Sequence, residues 1–136
     1  MIELTGVAHF SIPVSDVDKS TKFYTEVLGC RYLSSAPAAV GFVFLDAGGV
    51  AIILVRRKVP VPNPEPDHNG VHHAFMFDST NYPLVLKHLA ANNVEIFFEE
   101  DRQDGVILGP RVYFRDPDGT VLEIINRTSY MADQPR

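Results

Sequence analysis

The chain has 136 residues, of which 46% are hydrophobic and 21% are charged. This composition is typical of an ordinary globular protein and excludes disordered and collagen-like chains. A net charge of −5, from 12 basic and 17 acidic residues, leaves no basic surface for nucleic acid or an anionic membrane, so we expect a small-molecule partner. The single cysteine, Cys30, excludes an intramolecular disulfide, and no apolar run reaches the roughly 18 residues of a membrane span. With no basic segment before an apolar stretch at the N-terminus, we expect a cytoplasmic protein.

The first half of the chain predicts the order strand, helix, strand, strand, strand. Residues 2–14 alternate in the manner of a strand, which places His9 on one definite face. A helix starts in residues 15–18, where a capping side chain precedes acidic residues, and Gly29 ends it. Three apolar runs separated by short turn-like stretches then predict three strands, at residues 30–35, 39–46 and 50–56.

A proline-rich segment separates this half from a second one with the same order. Residues 58–69 hold four prolines and predict a stiff, extended linker between a module at 1–57 and a module at 70–127. The second module repeats the pattern with predicted strands at 71–77, 95–99, 109–114 and 120–126 and a helix at 84–91. The tail at 127–136 shows no clear element.

The two modules also align residue by residue. Gly6-Val7-Ala8-His9 matches Gly70-Val71-His72-His73, which places His9 over His73 at an offset of 73 − 9 = 64. Residues 46–53 match residues 116–123, which places Ile53 over Glu123 at an offset of 123 − 53 = 70. Two copies of one unit indicate a single duplicated domain whose modules are related by a pseudo-twofold axis.

The duplication offers an explanation for Glu123, a carboxylate in the middle of an apolar strand. A buried carboxylate requires a cation or several donors. Equivalent positions meet around such an axis, so we expect His9, His73, Glu123 and Ile53 to converge. Two histidines and one carboxylate form a facial set of ligands that suits Fe(II), Mn(II) or similar ions. His72 is expected on the opposite face of its strand, so His73 is the preferred ligand.

Over residues 7–126 the chain resembles the vicinal oxygen chelate superfamily. The resemblance rests on the segment ending at His9, on residues 23–29 at the end of the first helix, on His73, and on residues 113–119 leading to Glu123. It implies an α+β fold in which two tandem βαβββ modules form an open, cup-like β-barrel around a divalent metal. Fe(II) or Mn(II) is favoured, with Zn, Ni, Co and Mg as alternatives, and the resemblance also implies a homodimer acting on a small molecule with vicinal oxygens.

Ile53 makes two activities of this superfamily less expected for this chain, those of glyoxalase I and of the epimerases. Glyoxalase I and related epimerases have Glu or Gln at that position, and an aliphatic side chain can neither bind a metal nor move a proton. The ligand pattern and the spacing from Tyr113 through Asp116-Pro117 to Glu123 are similar to those of extradiol dioxygenases, which is the expected activity. Residues 102–111 lack, however, the additional histidine that acts as acid or base in those enzymes without binding the metal. Residues 103–110 lack the serines of the fosfomycin-resistance thiol transferases. The alternatives are a glyoxalase-like lyase or isomerase, a thiol transferase of the fosfomycin-resistance type, and a non-catalytic binding protein of the bleomycin-resistance type.

Five further residues are assigned by position. Tyr113 and Arg111 share one face of their strand and are the candidate catalytic residues, through contacts to the ligands or the substrate. His68, in the linker, and His88, on a helix, are expected to be solvated. Cys30 is expected to fill the core.

Overall fold

The computed structural model describes residues 1–58, 67–77 and 80–131. The chain divides into two compact units, Met1–Pro62 and Asn63–Arg136. Each unit contains one βαβββ module, so the predicted α+β class with tandem modules is confirmed. Most of the predicted linker, at residues 59–66, lies outside the described residues. No helix in the described ranges has the length and hydropathy to cross a bilayer.

The first unit is a four-stranded sheet with one helical segment. Its strands are β1 (His9–Val14), β2 (Arg31–Ser35), β3 (Phe42–Ala47) and β4 (Val50–Arg56), arranged in the order β1-β4-β3-β2. β1 lies parallel to β4, and the other neighbours are antiparallel. Helix α1 (Val17–Lys22) continues into a π-helical turn at Phe23–Val27. β1 begins at His9, so the strand is shorter than the predicted range from residue 2.

Helix α1 begins and packs as its sequence indicates. The side chain of Asp16 accepts a hydrogen bond from the Lys19 amide at 3.0 Å, which satisfies one of the unpaired donors of the first turn. At the other end, Gly29 adopts a φ of +78°, a conformation that costs glycine little. Tyr24, Ile12 and Leu54 are among the fully buried side chains of the first unit, so burial of the apolar faces holds the helical segment on the sheet.

The second unit repeats this topology and adds one strand. β5 (His72–Met76), β6 (Ile96–Arg102), β7 (Ile107–Arg115) and β8 (Val121–Ile125) have the order β5-β8-β7-β6, and helix α2 spans Pro83–Ala91. The added strand, β9 (Ser129–Tyr130), pairs antiparallel with the start of β7. The prediction of no element in this part of the tail is wrong, because a two-residue strand stabilised by pairing with a distant strand has no local sequence signal.

A tight turn sets the start of β8. Asp116 is buried, and its Oδ1 accepts hydrogen bonds from the amides of Asp118 and Thr120, both at 2.9 Å. The Asp116 amide donates to the Thr120 carbonyl at 3.0 Å. The turn at Asp-Pro-Asp-Gly therefore fixes the register of β7 on β8, in which Tyr113 lies opposite Glu123.

The strand registers correct the alignment of the two modules. In the first unit His9 pairs with Ala51 on β4, and in the second His72 pairs with Val121 on β8. Because 121 − 51 = 70 is also the offset between Ile53 and Glu123, β4 and β8 are aligned as predicted. The structural counterpart of His9 is therefore His72, at an offset of 72 − 9 = 63, and the predicted equivalence of His9 with His73 is wrong by one residue.

Gly109 allows a close approach of the chain after β8. Its φ is +124°, and an added Cβ would overlap the carbonyl oxygen of Asn126. We expect Gly109→Ala to lower the free energy of unfolding by more than about 2 kcal/mol, because backbone strain and a steric clash both contribute. Gly105→Ala is the matched control, since Gly105 has a φ of +102° and a Cβ added there would meet nothing within 4 Å. Urea denaturation measures both changes, and equal losses would contradict the role of the clash.

Burial of Cys30 gives a prediction about alkaline stability. Burial, followed by the charge of Asp46, raises the pKa of the Cys30 thiol from its ordinary value of 9.0 to about 11. Below pH 9.0 the thiol is protonated in both states; between these two values only the unfolded chain loses its proton, so the folded state loses stability as the pH rises. The difference in free energy of unfolding between the wild type and Cys30→Ala should therefore shrink from pH 8 to pH 10.5. A constant difference in denaturant titrations would contradict the raised pKa.

Candidate active site

A cavity of about 450 Å³ lies against one face of the second sheet. Six of the residues in its walls are ionisable or aromatic: His68, His72, Arg102, Arg111, Tyr113 and Glu123. All of these residues belong to the second unit.

Strand register explains why these side chains share a face. Tyr113 lies opposite Glu123, and Ala74 lies beside Glu123 on the other neighbouring strand. Residues two apart in a strand point to the same side, so His72 joins the face of Ala74 and Arg111 joins the face of Tyr113. The prediction that Tyr113 and Arg111 share one face is confirmed, and that face lines the cavity.

His73 lies on the opposite face, so the structure corrects the preference for it over His72. His73 pairs with Leu122, whereas Glu123 is paired with Ala74. Burial lowers the pKa of His73, and the neighbouring His72 lowers it further. The two histidines do lie on opposite faces as strand alternation predicts, but a one-residue error in the alignment assigned the wrong one to the Glu123 side.

Glu123 is 3% exposed and is held between two side chains. Its Oε2 lies 3.1 Å from Nε2 of His72. Its Oε1 lies 3.4 Å from Nη1 of Arg111, which is also 3% exposed. Transfer of a carboxylate out of water is costly without compensation, and these two contacts, together with the hydroxyl of Tyr113, supply it.

The other nitrogen of His72 determines what its Nε2 presents to Glu123. Nδ1 lies 2.9 Å from the carbonyl oxygen of Gly70. A carbonyl can only accept, so Nδ1 carries the proton, and a neutral ring then directs the lone pair of Nε2 toward Glu123. Two acceptor atoms at 3.1 Å require a cation, either a proton or a metal ion. A histidine that donates its one N–H to a backbone carbonyl and leaves its other nitrogen unprotonated is also the usual arrangement of a metal ligand.

Hydrogen bonds to backbone carbonyls hold the guanidinium of Arg111 in place. Its Nη2 donates to the carbonyl of Ile107 at 2.8 Å and its Nε to that of Gly109 at 3.3 Å. Glu100 lies 4.0 Å from Nε of Arg111 and forms a closer contact, at 2.6 Å, with Arg102. Arg111 therefore compensates the charge of Glu123, whereas Arg102, whose side chain is 39% exposed, is the more accessible cation of the cavity.

Tyr113 is 3% exposed and supplies a hydroxyl beside Glu123. Burial raises the pKa of Tyr113, and the charge of Glu123 raises it further. The phenol therefore remains protonated at neutral pH and can donate a hydrogen bond but cannot act as a base. Its ring also meets the ring of His72 edge-on, with centroids 5.5 Å apart.

The donor atoms of His72 and Glu123 fit a divalent transition metal, since an imidazole nitrogen and a carboxylate oxygen already face each other. Across residues 1–58, 67–77 and 80–131, no group of three His, Cys, Asp or Glu residues is close enough to hold an ion. His9 lies at the start of β1 in the first unit. Its role as the third ligand stays a prediction.

Sequence reasoning missed His68, which was expected to be solvated. The structure places its ring in the cavity wall, stacked on Phe98 with centroids 3.7 Å apart. Phe98 is thirty residues away in sequence, so no local pattern could reveal the contact.

Comparison with known proteins places these features in a family. The sequence profile of the Glyoxalase/Bleomycin resistance protein/Dioxygenase superfamily matches residues 6–124. Metallothiol transferase FosB of Staphylococcus epidermidis is 30% identical over 90% of this chain and 82% of that protein. Glyoxylase I 4 of Arabidopsis thaliana is 27% identical over 92% of this chain and 72% of that protein.

A similar solved structure is that of a variant of the fosfomycin resistance protein FosX from Listeria monocytogenes, in complex with Mn(II) and 1S,2S-dihydroxypropylphosphonic acid. It has a TM-score of 0.72 and 22% identity, and the match covers 93% of both chains. This similarity concerns the fold, which agrees with the match of the family profile. The chain belongs to the Glyoxalase/Bleomycin resistance protein/Dioxygenase superfamily.

Proposed function

We propose that the protein is a divalent-metal-dependent transferase of the fosfomycin-resistance type, which adds a thiol to a small epoxyphosphonate. The observation that carries the proposal is the pairing of His72 Nε2 with Glu123 Oε2 at 3.1 Å, which places two donor atoms suited to a divalent metal together in a cavity of small-molecule size. The metallothiol transferases of about 30% identity support the choice of reaction.

His72 and Glu123 would hold the metal, with His9 as the proposed third ligand. When bound, a divalent ion would supply Lewis acidity to substrate oxygens. Mn(II) is the favoured ion, since it is present in the complex of the similar FosX structure, and Fe(II) is the next candidate. Arg111 fixes Oε1 of Glu123, so Oε2 stays directed toward His72.

The remaining groups of the cavity suit an anionic substrate. Arg102 is partly exposed and can turn from Glu100 toward a phosphonate oxygen. Tyr113 donates a hydrogen bond and, because its pKa is raised, does not add a second negative charge next to Glu123. The cavity thus offers a metal-binding pair at one point and a mobile cation at another.

The sequence analysis expected an extradiol dioxygenase and gave thiol transfer as an alternative. Thiol transfer is now the preferred activity. The metallothiol transferases among the relatives favour this alternative. A glyoxalase activity is disfavoured by Ile53, which cannot bind a metal, although a glyoxylase is among the relatives. The lack of serine in residues 103–110 weakens the resemblance to the fosfomycin enzymes; in this chain two carbonyls of that segment hold Arg111 instead. The homodimer and the cytoplasmic location stay predictions.

Metal binding tests the choice between adjacent histidines. We expect His72→Ala and Glu123→Gln to weaken Mn(II) binding by at least about 100-fold, since each removes a direct ligand. His73→Ala is the matched control and should change the affinity less than about 3-fold, because its side chain lies on the other face. Isothermal titration of the metal-free proteins measures all three. Loss of binding in His73→Ala with retention in His72→Ala would refute the assignment.

Activity tests the reaction class. We expect the Mn(II)-loaded protein to consume thiol groups in the presence of fosfomycin, and a chelator to stop the reaction. A thiol-specific dye measures consumption, and an oxygen electrode with a panel of catechols serves as the comparison. Oxygen uptake without thiol consumption would establish the dioxygenase, and fosfomycin binding without turnover would indicate a sequestering protein.

A further inference from the structure

A short loop before β5 is tied to the metal-binding pair. Within it, Oδ1 of Asp67 accepts hydrogen bonds from the amides of Asn69 at 2.8 Å and Gly70 at 2.9 Å. The carbonyl of Gly70 then accepts the Nδ1 proton of His72. The loop is therefore held by its own turn and by its hydrogen bond to His72. These bonds fix the backbone on both sides of His68, which follows Asp67 in this turn.

His68 lies flat on one aromatic ring and edge-on to another. Its ring and that of Phe98 are nearly parallel, with an interplanar angle of 2° and centroids 3.7 Å apart. The ring of Tyr113 meets it at 65° with centroids 5.6 Å apart. Tyr113 makes a similar edge contact with His72, so one tyrosine touches both imidazoles of the cavity.

These contacts orient the imidazole but do not involve its two ring nitrogens. A stacked ring uses its faces, whereas the nitrogens lie in the ring plane at its edge. A phenylalanine at position 68 could stack on Phe98 equally well. An imidazole adds two ring nitrogens that can accept and donate a proton, at the wall of a cavity that contains the proposed metal-binding pair.

We propose that His68 is the proton-transfer residue of the thiol-addition reaction; this inference rests on the proposed function. His68 takes the proton of the thiol as the sulfur forms a bond to a substrate carbon and the carbon–oxygen bond of the epoxide breaks. The alkoxide then receives this proton from the His68 imidazolium, which returns His68 to its starting form, so that a thiol and an epoxide give a thioether and a hydroxyl group without net oxidation. Tyr113, which stays protonated, cannot serve as the base.

The charge environment of His68 comes from four strands and its own loop. The titratable and charged groups of the cavity side are Asp67 in the loop, His72 on β5, Glu100 and Arg102 on β6, Arg111 and Tyr113 on β7, and Glu123 on β8. Arg111 and Arg102 are paired with Glu123 and Glu100, so neither sign of charge dominates the wall.

Substitution that keeps the stack tests the proposal. His68→Phe retains a flat ring on Phe98, and His68→Gln retains polarity without proton transfer. In thiol transfer to fosfomycin we expect both variants to lose about 100-fold in kcat and to lose the acid limb of the pH–rate profile. KM and Mn(II) affinity should stay within about 3-fold of the wild type. His88→Gln, on the exposed face of α2, is the control and should match the wild type.

The outcomes separate the two proposals. An active wild type with full kcat and an unchanged pH profile in His68→Phe would overturn the role of His68 and leave the proposed function intact. A wild type that binds Mn(II) but transfers no thiol would overturn both. The placement of His68 has its own readout: Mn(II) should broaden the ring resonances of His68 and not those of His88. Sharp His68 resonances in the Mn(II)-bound protein would overturn the inference.

Discussion

The structure of the second unit depends on one buried carboxylate. Glu123 lies in the centre of an apolar strand and is almost completely removed from water. Removing such a charge from water costs several kcal/mol, so it is tolerated only with compensation. Arg111 supplies a guanidinium at one oxygen, and His72 presents a nitrogen to the other. A cation bound at Oε2 would compensate the part of this cost that Arg111, at Oε1, does not.

Backbone geometry around Glu123 supports the same arrangement. Gly109 permits a chain approach that a larger residue would block, and its carbonyl is one of two that anchor Arg111. On the other side, Gly70 supplies the carbonyl that sets the tautomer of His72. Thus both partners of the carboxylate are oriented by main-chain oxygens, which move less than side chains. Positioning groups of this kind are what give a metal or substrate site its precision.

Much of the fold could be predicted from the sequence, because apolar periodicity and turn residues are local signals. The repeated order of elements, the turn at residues 116–119 and the unusual carboxylate at Glu123 were all visible. The choice between His72 and His73 was not, because two adjacent histidines fit a gapped alignment equally well and a one-residue slip reverses the face. His68 and β9 were also missed, since each is placed by contacts with residues far along the chain.

The proposed function depends on His72 and Glu123 holding a divalent ion through Nε2 and Oε2. Crystals of the Mn(II)-loaded protein, measured at the manganese absorption edge, would locate the ion through its anomalous scattering. We expect a single strong peak within coordination distance of both atoms, on the face of β5 away from His73. A peak at His73, or a protonated His72 hydrogen-bonded to Glu123 with no peak at saturating Mn(II), would contradict the account.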